Sequence, residues 1–330
     1  MTTVGRGRGV RGRRTATTAA LLAALATAAL AGCTGGNGPG DDGRGRDRGD
    51  HRTASPGATG PSVLAVKIDN AGTARPHTGV DAADVVYAEQ VEGGLSRLMA
   101  VYATRLPEVV GPVRSARESD LELLRQFDRP ILAFSGAQTK LLPLIDQAPL
   151  RAESPSDAAD AYFRGGDRPA PHNLYLRPGR LMAEAPGRAA LTTGFRYGPV
   201  PSGGTPTTSR TVRYPAARFT FTWSDARERW LVGMDGSRAA TADGEALAPA
   251  TVVVQHVKVR ESAFRDFLGN NTPYTETVGA GKAEVLRDGR TFDARWQRPD
   301  AADGTAFTTP DGAPVNFAEG QVWVVYAKAS

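Results

Sequence analysis

The chain has 330 residues, 40 Lys and Arg against 35 Asp and Glu, and one cysteine, which excludes a disulfide-built fold. Its formal charge of +5 invites a nucleic-acid partner, but the excess is confined to the start of the chain. Arg6, Arg8, Arg11, Arg13 and Arg14 precede Cys33 and no acidic residue does, so removing them lowers the basic count from 40 to 35, equal to the acidic count. Nucleic-acid binding and wholesale attraction to anionic lipid therefore lose their support.

Residues 1–32 read as a signal peptide: an arginine-rich opening, an apolar run from Ala19 to Ala31, and small residues before a cleavage point. The run is short for a membrane span, which needs roughly 20 apolar residues. Leu30-Ala31-Gly32-Cys33 resembles the lipobox of a lipoprotein signal peptide, which implies a diacylglycerol on the Cys33 thiol, palmitate among its acyl chains, and cleavage before it. That predicts a protein anchored to the cell membrane through Cys33 on the extracytoplasmic face. Arg13-Arg14 leaves the Sec and twin-arginine export routes both open.

Residues 33–61 carry Gly, Asp, Arg, Ser and Pro with almost nothing apolar, and their four Asp balance four Arg. Such a segment reads as a disordered tether with a reach of roughly 30 Å. Residues 62–195 predict a mixed α/β domain. Val63–Ile68, Val85–Glu89 and Leu98–Tyr102 are strand-like. Ser119 and Glu122 form a capping box ahead of a helix carrying Leu121, Leu124 and Phe127, which stops before Pro130. Ile131–Phe134 follows as a strand and Lys140–Ile145 as a short helix. After a Pro/Gly-rich connection at 196–210, residues 211–330 predict a mainly β domain. Phe219, Phe221 and Trp223 alternate, as do Phe292, Ala294 and Trp296, while Thr251–Val257 and Val322–Tyr326 are β-branched runs. Turns fall at Asp235-Gly236, Asp288-Gly289 and Asp311-Gly312. The fold class is α+β, and Trp223, Trp230, Trp296 and Trp323 belong to the core.

No metal-ligand spacing, phosphate loop or nucleophile elbow occurs, and nothing calls for a cofactor. Four polar clusters stand out instead, at strand ends and in glycine-rich turns. They are Ile68-Asp69-Asn70 with Ala74-Arg75-Pro76-His77; Glu89 with Val91–Arg97; Gly111–Arg117; and Pro171-His172-Asn173-Leu174-Tyr175. In this order, with Val253-Val254-Gln255 and the stretch from Gly279 through Asp288-Gly289-Arg290 to Trp296, they resemble the YerB-like family of bacterial lipoproteins. The resemblance covers about Ser62 to Tyr326, with His77 standing where a polar amide such as Gln is expected. It implies a two-domain envelope lipoprotein and no established activity.

Gly111–Arg117 runs into the capped helix, so backbone N–H groups together with Arg114 and Arg117 suit a phosphate or carboxylate. The alternative is that both arginines pair with Glu118, Asp120 or acidic residues of neighbouring strands. The candidate ligand-binding set is Arg75, Arg97, Arg114, Ser115, Arg117 and Asn173. Asp69, Glu89 and Glu92 end three successive strands; with His172 they form a candidate catalytic set, or else answer Arg97, Arg114 and Arg117 in a buried ion network. The leading expectation is a binding module for an anionic envelope component or an envelope protein; the alternative is an envelope hydrolase or transferase using Asp69, Glu89, Glu92 and His172.

Overall fold

The computed structural model describes residues 62–266 and 269–329. Cys33, the expected signal peptide and the expected tether lie outside them. The first half supplies β1 (Leu64–Asp69), β2 (Val85–Gln90), β3 (Ser96–Tyr102), helix α1 (Glu118–Leu124), β4 (Ile131–Ala133), helix α2 (Leu142–Gln147), β5 (Arg151–Glu153), β6 (Tyr162–Arg164) and β7 (Leu174–Leu176). The second half begins with β8 (Thr205–Pro206), β9 (Ser209–Arg213), β10 (Arg218–Ser224), β11 (Arg229–Met234), β12 (Ser237–Arg238) and β13 (Thr251–Val257). It ends with β14 (Val259–Arg265), β15 (Asn271–Thr275), β16 (Gly279–Arg287), β17 (Arg290–Arg298), β18 (Ala306–Thr308) and β19 (Val322–Lys328).

Both halves build one 11-stranded sheet in the order β18-β17-β16-β13-β19-β2-β3-β1-β4-β5, with β8 also paired to β17. The last strand of the chain enters between the halves: β19 runs parallel to β13 on one side and to β2 on the other. The expected connection at 196–210 is itself partly strand, since it carries β8 and the start of β9. The sheet is mixed, with antiparallel β2–β3 and β16–β17 hairpins and parallel β1–β4 and β4–β5 pairs.

Alternation along the strands sorts two cores. Leu64, Val66 and Ile68 of β1, Val252 and Val254 of β13, and Trp323 and Val325 of β19 face a four-stranded sheet, β12-β11-β10-β9. That small sheet answers with Phe219, Phe221, Trp230 and Val232. The buried Tyr214 hydroxyl ties the layers together by donating to the carbonyls of Ala88 (3.1 Å) and Tyr326 (2.9 Å). The opposite face, with Ala65, Tyr87, Met99 and Val324, is covered by α1, α2 and the Phe195–Phe307–Phe317 aromatic group. Trp230, Trp296 and Trp323 are buried, and the half-buried Trp223 packs 5.3 Å from Trp230.

The protein is mainly β, and helix is scarcer than the mixed α/β expectation for the first half. Only α1 and α2 are α-helical among the described residues, and both are short. The helix expected as far as Pro130 ends at Leu124 because other donors take the carbonyls of its last turn. Arg298 reaches the oxygens of Glu122 (2.9 Å) and Leu123 (3.3 Å), and the Gln126 amide also donates to Leu123. Phe127 lies past the helix and is still buried. The start of α1 also differs from the expected box: Arg117 is the N-cap, and its N–H is accepted by Asp120 at 2.7 Å.

Candidate functional site

The helix-covered face of the sheet carries charge where β1, β3 and β2 end. Lys67 and Asp69 follow Ala65 on that face of β1, and Arg97 and Glu89 stand on it from β3 and β2. Pairing sets Asp69 opposite Arg97 and Arg97 opposite Glu89, a three-strand row of charged residues. The three candidate carboxylates do not converge on one point, however.

Glu89 turns to Lys67, which is fully buried and also bonds Asp120 at 2.7 Å; Ser119 donates to the other Glu89 oxygen at 2.9 Å. Burial pushes the Glu89 carboxyl above its usual range, against the opposing pull of Lys67. Two carboxylates on one ammonium leave an uncompensated negative charge in a dry place, and a raised Glu89 absorbs it.

Glu92 sits in the turn from β2 to β3, where Gly93 and Gly94 take positive φ (67° and 71°). A side chain at Gly94 would strike Pro215, 2.6 Å from its Cβ, so the turn needs glycine there. The turn aims Glu92 at Arg117, which grips both carboxylate oxygens at 2.6 and 2.7 Å; Thr272 adds a hydrogen bond at 2.6 Å. This bidentate clamp draws the Glu92 carboxyl below its usual range, overcoming the desolvation that opposes it. Arg117 is thereby committed to the fold.

Gly111–Arg117 passes extended between β1 and β7: Pro112 accepts from the Asp69 N–H, Val113 donates to Leu174, and Arg114 donates to Lys67. At Gly111 a Cβ would lie 2.8 Å from the Tyr175 ring and 3.0 Å from the Leu174 oxygen, so only glycine permits this threading. The arrangement brings His172 to Asp69, with Nδ1 2.7 Å from Oδ2, and Arg114 Nε within 3.3 Å of the same oxygen. Arg114 Nε is misaligned for a hydrogen bond there and is a buried donor without an acceptor. Backbone geometry locks Asp69 from behind, because the buried His77 donates from Nε2 to its carbonyl at 2.9 Å.

Arg97 is the odd cation. Its only hydrogen bond among the described residues is to the Ser115 carbonyl at 2.9 Å, and Arg117 approaches the same oxygen at 3.4 Å. Burial, and then the neighbouring Arg117, draw its guanidinium down to about 10, a shift that Arg114 adds to and that Glu92 and Asp69 oppose. Among the described residues Arg97 forms no ion pair. Beside Ser115, Arg117 and Glu92 an open groove of about 710 Å³ is walled on its other sides by Gln138, Lys140 and Phe264.

Two expected ligand residues lie elsewhere. Arg75 holds the side chain (2.9 Å) and carbonyl (2.6 Å) of Asn70 and pairs with Asp235 at 2.8 Å. Asn173 takes Arg164 at 2.8 Å and donates to Gly165, bracing the loop that carries His172. The helix start is not an anion cradle, because its own Asp120 caps it. Sequence reading missed Lys67 and Arg298, although both stand in phase with inward positions of their strands: Lys67 after Ala65, Arg298 after Phe292, Ala294 and Trp296. Among the described residues no three His, Cys, Asp or Glu side chains group to hold a metal, and no helix is long and apolar enough to cross a membrane.

One sheet woven from two sequence halves, with charged strand ends gathered under a short helix, defines a two-part, mainly β architecture. Residues 52–193 match the family model described as the N-terminal domain of a protein of unknown function, DUF3048, and residues 210–324 match its C-terminal domain model. YerB of Bacillus subtilis (strain 168), whose name calls it a lipoprotein, is 43% identical over 65 residues. That alignment spans 20% of this chain and 20% of that one. The crystal structure of the B. subtilis YerB protein shares the fold, with a TM-score of 0.67 at 20% identity over 80% of this chain and 90% of that one. The chain belongs to this YerB-like, two-domain family.

Proposed function

We propose that this is a lipid-anchored cell-envelope protein, held outside the cytoplasmic membrane through Cys33, that binds an anionic group at Arg97 and Arg114 beside the Asp69–His172 pair. The anchor rests on the Leu30-Ala31-Gly32-Cys33 sequence and on the lipoprotein name of the B. subtilis relative. The binding role rests on one observation: Arg97 is crowded by Arg114 and Arg117 and lacks a carboxylate of its own. A carboxylate or phosphate placed there would supply the missing counter-charge and accept from the Arg114 terminal nitrogens, which have no hydrogen-bond partner among the described residues, while Nε stays buried against Asp69. Arg117, spent on Glu92, shapes the site rather than contacting the ligand. Titration calorimetry with inorganic phosphate and with acetate tests this. Saturable heat that vanishes in Arg97→Gln and Arg114→Gln supports the reading; heat unchanged by both substitutions defeats it.

A hydrolytic role has one observation in its favour, the 2.7 Å contact by which Asp69 holds His172 Nδ1 while Nε2 has no hydrogen-bond partner among the described residues. That is the arrangement of an oriented general base. It would use Asp69 and His172 alone, since Glu89 and Glu92 are occupied elsewhere. Turnover of chromogenic phosphate and carboxylate esters by the wild type, lost in His172→Gln, is the supporting result; no turnover by the wild type retires it.

A further inference from the structure

The outer face of the small sheet carries a second cationic surface, separate from the site above. Val212 and Phe219 point into the core, so strand alternation turns Thr211 and Arg213 of β9, and Arg218 and Thr220 of β10, outward. Arg213 and Arg218 are direct cross-strand partners. Thr220 stands opposite Gly233, and Gly233 opposite Arg238. Like charges directly opposite each other on a sheet are unfavourable unless something answers them. Nothing in the fold does: among the described residues the Arg213, Arg218 and Arg238 guanidinium groups have no carboxylate partner. Asp235, in the turn between β11 and β12, is taken by Arg75 at 2.8 Å and by the Arg218 backbone N–H at 2.7 Å.

These residues line a shallow groove of about 350 Å³ with no acidic residue in its wall. Its floor is mostly small and hydroxylic, with Leu231 and Val232 its apolar residues. Gly233 leaves the middle open, and Thr211 and Thr220 meet through their hydroxyls at 3.1 Å. The Arg218 guanidinium lies against Gly236, where a Cβ would sit 2.8 Å from Nη2.

From this arrangement we infer that the groove binds a linear polyanion carrying repeated phosphate groups. Three arginines spread along the face, rather than converging on a point, suit successive phosphates. The hydroxyl and glycine floor lets a narrow chain lie down between them. A lipid surface fits less well, because the exposed large apolar side chains (Leu95, Leu142, Leu144 and Val200) are not among the groove's residues.

The test is binding of fluorescently labelled inorganic polyphosphate across a salt series, using the wild type, the triple variant Arg213→Gln/Arg218→Gln/Arg238→Gln, and the control Arg125→Gln. The wild type is expected to bind. The triple variant should bind about tenfold or more weaker at low salt, with the log–log salt slope flatter by about 2, at roughly 0.7 for each phosphate left without its arginine. Arg125→Gln, at an exposed position after α1 that belongs to neither site, should bind as the wild type does. The triple variant should melt at or above the wild-type temperature, which shows that the three arginines are not needed for folding. Any of three results overturns the inference: undiminished binding by the triple variant, equal loss in Arg125→Gln, or wild-type binding to phosphatidylglycerol vesicles with none to polyphosphate.

Discussion

His77 gives the most exacting test of how the site is held. Its ring is 1% exposed, and burial lowers its pKa from 6.5 to about 4, with the nearby Arg75 pushing the same way and the hydrogen bond to the Asp69 carbonyl opposing. The folded state thus keeps the imidazole neutral at pH values where the unfolded chain protonates it. Because the unfolded state binds the extra proton, stability is fully present above pH 6.5 and falls as pH drops towards 4. At 1.36 kcal/mol per unit, the gap between 6.5 and about 4 amounts to about 3 kcal/mol, of which about 2 is lost by pH 5. His77→Gln retains a donor for the Asp69 carbonyl and removes the titration. Urea unfolding of both proteins at pH 7.5 and pH 5 should show the wild type losing about 2 kcal/mol more than the variant between the two. Equal losses would mean that His77 is solvated or protonated in the folded state, and that Asp69 is not held in the way described.

Other substitutions follow from the same geometry. Lys67→Met leaves Glu89 and Asp120 side by side without their cation and should cost about 3–5 kcal/mol in urea unfolding. Glu89→Gln keeps one carboxylate for Lys67 and should stay within about 1 kcal/mol of the wild type at pH 7. It should also remove the decline that the raised Glu89 imposes as pH rises above 4.5, since there the folded state holds a proton the unfolded state has released. Arg298→Met strips donors from the carbonyls of Glu122, Leu123 and Asp303 and should cost about 3 kcal/mol or more, with α1 losing amide protection from hydrogen exchange. Gly111→Ala drives a methyl into Tyr175 and should destabilise by about 1–3 kcal/mol while shifting the His172 resonances.

Local features of the fold were legible because local chemistry decides them. Phe219-Thr220-Phe221 alternates because one face of β10 is buried. Asp288-Gly289 turns β16 into β17 because Asp288 and Gly289 take positive φ (49° and 68°). Helix extent was not legible, since α1 is ended partly by Arg298, far along the chain. Nor was the sharing of one sheet: β19 reads as a good buried strand anywhere, and nothing in Val322–Tyr326 says that its neighbours are β13 and β2. The site shows the same division. Each polar cluster could be picked out, because charges and glycines at strand ends need a reason. Their pairing could not, because Asp69 meets His172 across 103 positions and Glu92 meets Thr272 across 180. The expected cradle at the helix start failed because Asp120, three residues along, caps the helix itself.

The central claim is that Arg97 and Arg114 await an anion. Nitrogen-15 NMR of the arginine Nε–H groups during titration with inorganic phosphate tests it most directly. Saturable shifts at Arg97 and Arg114, with Arg117 nearly still in its Glu92 clamp, are the predicted result. Unmoved Arg97 and Arg114 resonances at saturating phosphate and, separately, at saturating acetate would contradict the account.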